Sequence, residues 1–193
     1  MKNYLLLVLL LSATFLNAQT YKYRILAKGK AIGNITVNKT IKDSAIYYDI
    51  EAHSTVKMFF TESIKYHMSS IYIQGNMFYS SATIYLNGKV HFNSIVQKEN
   101  TYYSVNISGH ETRFFDMVSY SGAMLYFTEP TTINKIYSEI DNVEKDISVI
   151  KRHQYKIVNP KTGNASIFYY KDGILDGADI DHTYVSFRIE RIY

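Results

Sequence analysis

AIYYDIEAHSTVK, from Ala45 to Lys57, is the stretch of sequence that decides the fold class. One alternate set of its side chains is apolar or small and comprises Ile46, Tyr48, Ile50, Ala52, Ser54 and Val56. The other set is largely polar and comprises Tyr47, Asp49, Glu51, His53, Thr55 and Lys57. Because successive side chains of an extended backbone point to opposite faces, this pattern predicts a long β-strand with one buried and one water-facing side.

The same alternation continues on both sides of this strand, in segments separated by turn residues. Asn87-Gly88 is the strongest turn signal, because both residues accept the positive φ angles of a type I′ hairpin. Gly33 is a candidate β-bulge. The further predicted strands are Tyr21–Ala27, Ala31–Val37, Ile64–Ile73, Met77–Leu86, Lys89–Lys98, Thr101–Ile107, Lys135–Ile140, Lys145–Ile150, Gln154–Val158, Ala165–Lys171, Ile174–Asp181 and Tyr184–Ile192. These segments predict an antiparallel meander.

About a dozen strands are enough for a sheet to curl or close, so we expect one all-β domain forming a barrel or half-barrel. The segment from Phe114 to Thr132 interrupts the pattern, because its apolar residues do not alternate and Pro130 ends them. It predicts a loop insertion with a short helix near Ser121–Phe127. A single domain is the economical interpretation, since the sequence has no Gly-, Ser- or Pro-rich linker.

The first 18 residues have the features of a secretory signal peptide. Lys2 supplies a positive charge, Leu5–Leu11 is an unbroken apolar run, and Ala18 is a small residue suited to cleavage. The apolar run is shorter than the ~20 residues of a membrane-spanning helix. We therefore expect cleavage after Ala18, an exported domain over residues 19–193 in the periplasm or outside the cell, and no stable transmembrane anchor after cleavage.

The chain contains 19 tyrosines, 10 phenylalanines and no cysteine. Exported domains commonly depend on disulfides, so the stability of this domain is expected to come from packing alone. Tyrosine favours strands, where its ring is buried and its hydroxyl stays solvated, which gives most of these residues a structural role. The functional alternative is that inward-facing aromatic rings line a hollow for a lipid-like or other apolar molecule.

The motifs of common enzymes and of nucleotide-binding sites are missing. The sequence has no Gly-x-Ser-x-Gly, no His-Glu-x-x-His, no phosphate-binding glycine loop and no thiol, so we predict no cofactor and favour a non-enzymatic protein. The net charge of +4 is spread along the chain without a basic run, which does not favour a nucleic-acid partner.

Two groups of residues are candidates for a metal site. His53 and His67 could face each other across a hairpin, but a site needs three or four converging ligands, and exposed or hydrogen-bonded strand histidines are the favoured interpretation. The acidic cluster comprises Asp172, Asp176, Asp179 and Asp181. Its spacing does not match a calcium-binding loop, and it fits a turn followed by a polar strand face equally well. The sequence therefore predicts no metal site.

Four segments, in order, carry a resemblance to a known family: GKAIG (Gly29–Gly33), SYSGAMLYFTEP (Ser119–Pro130), INKIYSE (Ile133–Glu139) and YYKDGIL (Tyr169–Leu175). The arrangement resembles a family of uncharacterised, signal-bearing bacterial proteins classed as a domain of unknown function. More distantly, it is similar to periplasmic carriers of the LolA and LolB type, which are open β-barrels. The resemblance implies an envelope location and a barrel-like fold, without assigned catalytic residues.

The matching segment around Pro130 also has a physical interpretation. Proline favours an extended conformation at Glu129, and Glu139 follows Tyr137 on the next predicted strand. If the loop folds over the mouth of the barrel, the candidate ligand-binding rim is formed by Tyr126, Glu129, Tyr137 and Glu139. In the alternative, Leu125 and Phe127 fill the end of the core, while the carboxylates meet solvent or Lys135.

Three functional hypotheses follow from the sequence. The first is a non-enzymatic envelope protein that binds an apolar molecule or another envelope protein. The second is an enzyme acting on envelope material, with an acid and a base among Asp49, Glu51, Glu129 and Glu139. The third is a small outer-membrane β-barrel, since strands with alternating tyrosines also suit a lipid-facing surface. Arg191 argues against the third, because it shares a strand face with Ile189 and Phe187.

Overall fold

A computed structural model of the protein describes residues 17–57, 61–181 and 186–193 of the 193-residue chain. Except for Asn17 and Ala18, the predicted signal peptide lies outside the described residues, as do residues 184 and 185 at the start of the last predicted strand.

The described residues form fourteen β-strands and one short 3₁₀-helix, Gly122–Tyr126. The strands are β1 (Asn17–Ala27), β2 (Lys30–Lys42), β3 (Ala45–Lys57), β4 (Thr61–Ile73), β5 (Asn76–Leu86), β6 (Lys89–Lys98), β7 (Tyr103–Ile107), β8 (His110–Phe114), β9 (Lys135–Ser138), β10 (Val143–Lys151), β11 (Gln154–Val158), β12 (Ala165–Lys171), β13 (Ile174–Ile180) and β14 (Phe187–Ile192).

All fourteen strands belong to one antiparallel sheet. Its order is β8-β7-β6-β5-β4-β3-β2-β1-β14-β13-β12-β11-β10-β9, so each strand pairs with its neighbour in sequence and β1 also pairs with β14. The two edges are β8 and β9, which do not pair with each other. The sheet curls until the rings of Phe114 and Tyr137 at these edges lie 5.2 Å apart. The predicted all-β barrel or half-barrel is confirmed in its open form.

β3 has the bounds and the two faces that its sequence predicts. Tyr48 and Ile50 are buried, whereas Tyr47, Glu51 and His53 on the opposite face are exposed. The buried set forms part of the concave face of the sheet. A strand with one apolar face is stable only when that face is covered, so the periodicity of the sequence determines which side is concave.

Turn chemistry sets the register of the hairpins. At the β5–β6 turn, Asn87 has a φ of 50° and Gly88 a φ of 79°, as a type I′ turn requires. The predicted irregularity near Gly33 is present: Ile25 pairs with Gly33 and Leu26 pairs with Ala31, which leaves Ile32 as the extra residue of a bulge.

Several strands differ from those expected from the sequence, and three of these differences concern the edges of the sheet and the predicted cleavage site. β8 was missing from the predicted strands, because its residues are exposed on both faces and show no apolar alternation. β9 ends at Ser138 rather than Ile140. β1 begins at Asn17, so cleavage after Ala18 would remove two residues from its start and leave the remaining pairs with β2 intact.

Buried tyrosines link strands that are distant in sequence. The Tyr23 hydroxyl donates to the Leu175 carbonyl at 3.0 Å, and the Tyr103 hydroxyl donates to the Met77 carbonyl at 2.9 Å. Both rings are almost fully buried. Burial raises the pKa of both hydroxyls, which keeps them protonated as donors. These side chains give the cysteine-free domain specific cross-links between its strands.

Candidate functional site

The segment between the two edge strands enters the concave side of the sheet, and we call residues 115–134 the plug. Its 3₁₀-helix contacts β3, β4, β9 and β13. Ala123, Leu125 and Phe127 are buried. The Phe127 ring lies 5.6 Å from Tyr21 and 5.5 Å from Tyr48. The plug therefore forms the central part of the core.

Glu139 follows β9 and holds the start of the 3₁₀-helix. The Ser121 hydroxyl donates to Glu139 Oε1 at 2.5 Å, and the Ala123 N–H donates to the same oxygen at 3.2 Å. The Gly122 N–H donates to Oε2 at 3.1 Å. A Cβ at position 122 would lie 2.8 Å from Oε2, so a side chain there would push the carboxylate away from its present position. The carboxylate thus accepts hydrogen bonds from N–H groups that a helix leaves unpaired at its start.

Glu139 is only 2 % exposed, and burial raises the pKa of its carboxyl. The hydrogen bonds from Ser121 and the backbone oppose this shift by stabilising the ionised form. Burial is the larger effect, so the carboxyl takes up a proton more readily than an exposed glutamate.

Further polar groups surround Glu139 on the concave face. The Ser70 hydroxyl approaches Glu139 Oε1 at 3.5 Å and hydrogen-bonds Ser80 at 3.0 Å. The Tyr72 hydroxyl donates to Ser121 at 2.7 Å. The Tyr66 hydroxyl, on the same face, donates to Met68 Sδ at 3.0 Å. Burial raises the pKa of Tyr66, and the Glu139 carboxylate adds to this effect. The result is a buried polar cluster in a mainly apolar core.

A second polar group ties the β9–β10 turn to β6. The Tyr137 hydroxyl donates to Asn142 Oδ1 at 2.8 Å, and Asn142 Nδ2 donates to the Ser94 hydroxyl at 3.0 Å. The β9 edge is thereby tied to an inner strand of the other half of the sheet through side chains rather than through backbone pairing.

Glu129 lies at the other end of the plug and has different partners. The Tyr155 hydroxyl donates to Glu129 Oε1 at 2.7 Å, and His153 Nδ1 lies 3.0 Å from both carboxylate oxygens. Arg152 Nε donates to His153 Nε2 at 3.0 Å, so Nδ1 carries the proton shared with Glu129. Burial and the nearby Glu129 carboxylate raise the pKa of Tyr155 to about 12.

The four residues of the predicted rim occupy two separate environments. Glu139 and Tyr137 are each 2 % exposed and lie within the core. Tyr126 packs edge-on against Tyr23 at 5.4 Å. The Glu129 carboxylate is bound by Tyr155 and His153, away from the partners of Glu139. Their ligand-binding role stays a prediction.

The other carboxylates considered for acid–base chemistry are distributed over the sheet. Asp49 and Glu51 lie on the convex face, where Asp49 is 2.9 Å from His67 Nε2. Glu139 lies on the concave face. His53 is opposite Lys65 rather than His67. Within the described ranges, no cluster of three or more His, Asp or Glu side chains could hold a metal ion.

The surface of the described residues has depressions, and two of them are considered as possible binding sites. One, of about 570 Å³, lies over the ends of β1, β12, β13 and β14, where Arg188 pairs with Asp179 at 3.0 Å. The other, of about 240 Å³, lies between the plug and β9 and includes Tyr120 and Lys135.

In the part of the chain that the structure describes, no helix is long and apolar enough to cross a membrane.

Several members of the polar cluster around Glu139 and of the second polar group around Asn142 were not predicted from the sequence. Ser70, Ser80 and Ser94 occupy inward positions of otherwise apolar strands, and each is 1 % exposed. A serine in the buried phase of an alternating strand needs a hydrogen-bond partner, which is a signal that can be found in the sequence. Ser121 and Asn142 lie outside strands and have no such signal.

The fold resembles that of a solved structure described as a beta-barrel-like protein of the domain of unknown function DUF1849, from Brucella abortus. The two share 9 % sequence identity with a TM-score of 0.61, over 91 % of this chain and 95 % of the other. This likeness establishes the fold alone. No curated protein shows significant sequence similarity to the chain.

The family model of a domain of unknown function, DUF6134, matches residues 23–192, from the middle of β1 to the end of β14. This range includes the plug, Glu129, Glu139 and both edge strands. The resemblance inferred from the sequence to an uncharacterised all-β family is confirmed: the chain belongs to the DUF6134 family.

Proposed function

We propose that the protein is an exported, non-enzymatic envelope protein that binds an apolar, lipid-like molecule on its concave face. The observation that carries the proposal is a difference in burial along this face. Around the plug most inward side chains are buried, whereas apolar ones near the Lys28-Gly29, Asn87-Gly88 and Ser108-Gly109 turns are only half-buried. The half-buried set comprises Ile32, Ala52, Ile64, Ile84, Phe92, Ile107, Phe168, Ile180 and Phe187.

We call the end of the concave face that carries these three turns the open end. It has the composition of a site for an apolar ligand. Its wall is aliphatic and aromatic, and it adjoins the buried polar cluster through Tyr66, which lies beside Ala52 in the β3–β4 register. Ligand sites are typically apolar hollows with a few polar groups that orient the ligand. An acyl chain on the wall would cover apolar side chains that are otherwise half exposed to water.

The convex face supports a water-facing protein rather than an outer-membrane barrel. Lys22 and Arg24 on β1 and Lys65 on β4 point outward, and such charges are unfavourable towards lipid. Arg191, the residue that argued against a membrane barrel in the sequence, pairs with Tyr23 and faces the concave side instead.

The test uses protein purified from its native envelope. Mass spectrometry of the intact protein is expected to show Gln19 as the first residue, and extraction of the same sample is expected to release an apolar molecule in roughly equal amount. Ala52→Trp should abolish this co-purification, because the indole fills the open end. Ala31→Trp is the matched control, since Ala31 is exposed on the convex side of β2.

The result is decided by the comparison of the two variants. Loss of the ligand in Ala52→Trp, with retention in Ala31→Trp, supports the concave site. Wild-type protein that carries no apolar molecule, or two variants that carry it equally, contradicts the proposal. A first residue upstream of Gln19 contradicts cleavage after Ala18 without affecting the ligand result.

A further inference from the structure

The edge strand β8 is paired with another strand on only one of its two sides. It pairs with β7 and is the terminal strand of the sheet order. The opposite edge strand, β9, is covered, because the Tyr137 N–H donates to the Tyr120 carbonyl and Ser121 forms a bridge with Tyr137. β8 is therefore the open edge, and an open edge is a template for another strand.

The β7–β8 turn determines which backbone groups point away from the sheet. Ser108 and Gly109 form a two-residue turn with positive φ angles, so Ile107 and His110 are a hydrogen-bonded pair. Alternate residues of β7 must then bond to β8 and to β6. The Ser108 N–H donates to the Asn93 carbonyl of β6, as this alternation requires. Consequently Glu111 and Arg113 direct their N–H and C=O groups outward from the open edge.

These two residues also have complementary charges. Both side chains lie on the convex face, opposite Asn106 and Ser104, and both are exposed. Glu111 has no hydrogen-bond or ion-pair partner among the described residues. Arg113 lies 4.6 Å from the centre of the Tyr102 ring, which leaves its guanidinium at the surface.

We propose that two copies of the chain associate through antiparallel pairing of their β8 strands, on a two-fold axis at Thr112. In this register Glu111 of each copy lies opposite Arg113 of the other, as a hydrogen-bonded pair. The interface has four backbone hydrogen bonds and two cross-strand ion pairs. A two-fold contact of this kind uses the same surface on both copies.

Other registers are less favourable. Sliding one strand by two residues places Glu111 opposite Glu111, or Arg113 opposite Arg113, and like charges directly opposite each other are destabilising. A slide of one residue places outward-facing backbone groups opposite inward-facing ones and breaks the pairing. The charges thus select one register as well as the antiparallel direction.

Apolar side chains beside the edge add to the contact. Phe115 is 66 % exposed and Met117 is 55 % exposed, directly after β8. In the proposed register Phe115 lies opposite Gly109 of the second copy, where no side chain obstructs the ring. Because the strand has only five residues, the contact is smaller than a standard interface and the association is correspondingly weak.

The test is sedimentation velocity of the purified chain over a concentration series up to about 0.5 mM, a range suited to weak association. A monomer–dimer equilibrium is expected. Glu111→Arg and Arg113→Glu should each weaken it by at least about tenfold, because each places like charges opposite one another twice. The double variant Glu111→Arg/Arg113→Glu should restore it, since it exchanges the two charges.

Glu111→Pro tests the backbone contact separately. Its N–H faces away from β7, so proline removes an intermolecular donor without removing a bond to β7. Glu51→Arg, on the exposed face of the central strand β3, is the control and should dimerise normally. Wild-type protein that stays monomeric throughout, a dimer unaffected by Glu111→Pro, or a double variant that fails to dimerise would each overturn the proposal.

Discussion

At the scale of single residues, Glu139 joins three parts of the molecule. It follows β9, binds the start of the plug helix and approaches Ser70 on β4. A buried carboxylate is unfavourable unless donors surround it, and here two backbone N–H groups and two hydroxyls do so. Its contribution to stability depends on its protonation, because burial raises its pKa.

We predict that Glu139→Gln destabilises the protein by about 1–3 kcal/mol at mildly acidic pH, because the amide NH₂ group faces the Gly122 N–H. The loss should shrink as the pH rises. Between the unfolded pKa of about 4.3 and the higher folded pKa, the wild-type folded state holds a proton that the unfolded state releases. Wild-type stability therefore falls with rising pH through this window, whereas the glutamine has no such dependence.

Urea unfolding of both proteins between pH 4 and pH 8 measures this difference. The Asp141 carboxyl, whose pKa the Lys145 ammonium lowers despite burial, contributes in both proteins and cancels. Glu99→Gln is the control at an exposed position and should change the free energy of unfolding only slightly. A Glu139→Gln difference that grows as the pH rises would contradict the raised pKa.

At the scale of elements, two glycines illustrate different requirements of the hairpins. Gly88 has a φ of 79° and open space where a Cβ would be. Gly33 lies at the bulge, where a Cβ would be 2.0 Å from the His53 carbonyl oxygen of β3. The first position requires only a backbone conformation, while the second requires the absence of a side chain between paired strands.

We expect Gly88→Ala to destabilise the protein by about 1–2 kcal/mol, from left-handed backbone strain alone. Gly33→Ala should cost about 3 kcal/mol or more, because β2 and β3 must separate to admit the methyl group. Thermal or urea unfolding of the two variants under the same conditions shows which substitution lowers the stability more. An equal loss for both would mean that β3 adjusts at the bulge without strain.

The local pattern of apolar and polar residues predicted most of the strands, because each strand with a buried face shows this alternation in its own sequence. The bounds of β3, β6, β11 and β12 match their predictions, and the plug helix Gly122–Tyr126 lies within its predicted range. β8 has no buried face and so gives no signal in the sequence. The environment of Glu139 was equally hidden, because Ser70, Ser121 and Gly122 reach it from separate parts of the chain.

At the scale of the whole molecule, the β1–β14 pairing joins two halves of the sheet. One half contains β1–β8 and the other contains β9–β14, and five residue pairs from Lys22–Ile192 to Leu26–Arg188 connect them. The plug contacts strands of both halves, including β3 and β13. The core is therefore shared, and we expect the domain to unfold as one unit.

Ile189 tests this expectation, because it lies on β14 and is 2 % exposed, whereas Ile192 on the same strand is 45 % exposed. Ile189→Ala should lower the free energy of unfolding by about 2–5 kcal/mol with an unchanged m-value, and Ile192→Ala should have a much smaller effect. Tyrosine fluorescence and far-ultraviolet circular dichroism are expected to report coincident transitions in both variants. Two separated transitions in Ile189→Ala would show that the halves unfold independently.

The position of β1 beside β14 also affects how the chain folds. This pairing joins residues about 170 positions apart, so it closes a very long loop, and such contacts slow folding. The other strand pairs are sequential neighbours. A circular permutant that begins at β9, connects β14 to β1 through a short linker and ends with β8 followed by the plug would keep the core and every strand pair, while making all strand pairs local. The contact order of its strand pairs is lower than in the natural chain, and it should form the same sheet faster.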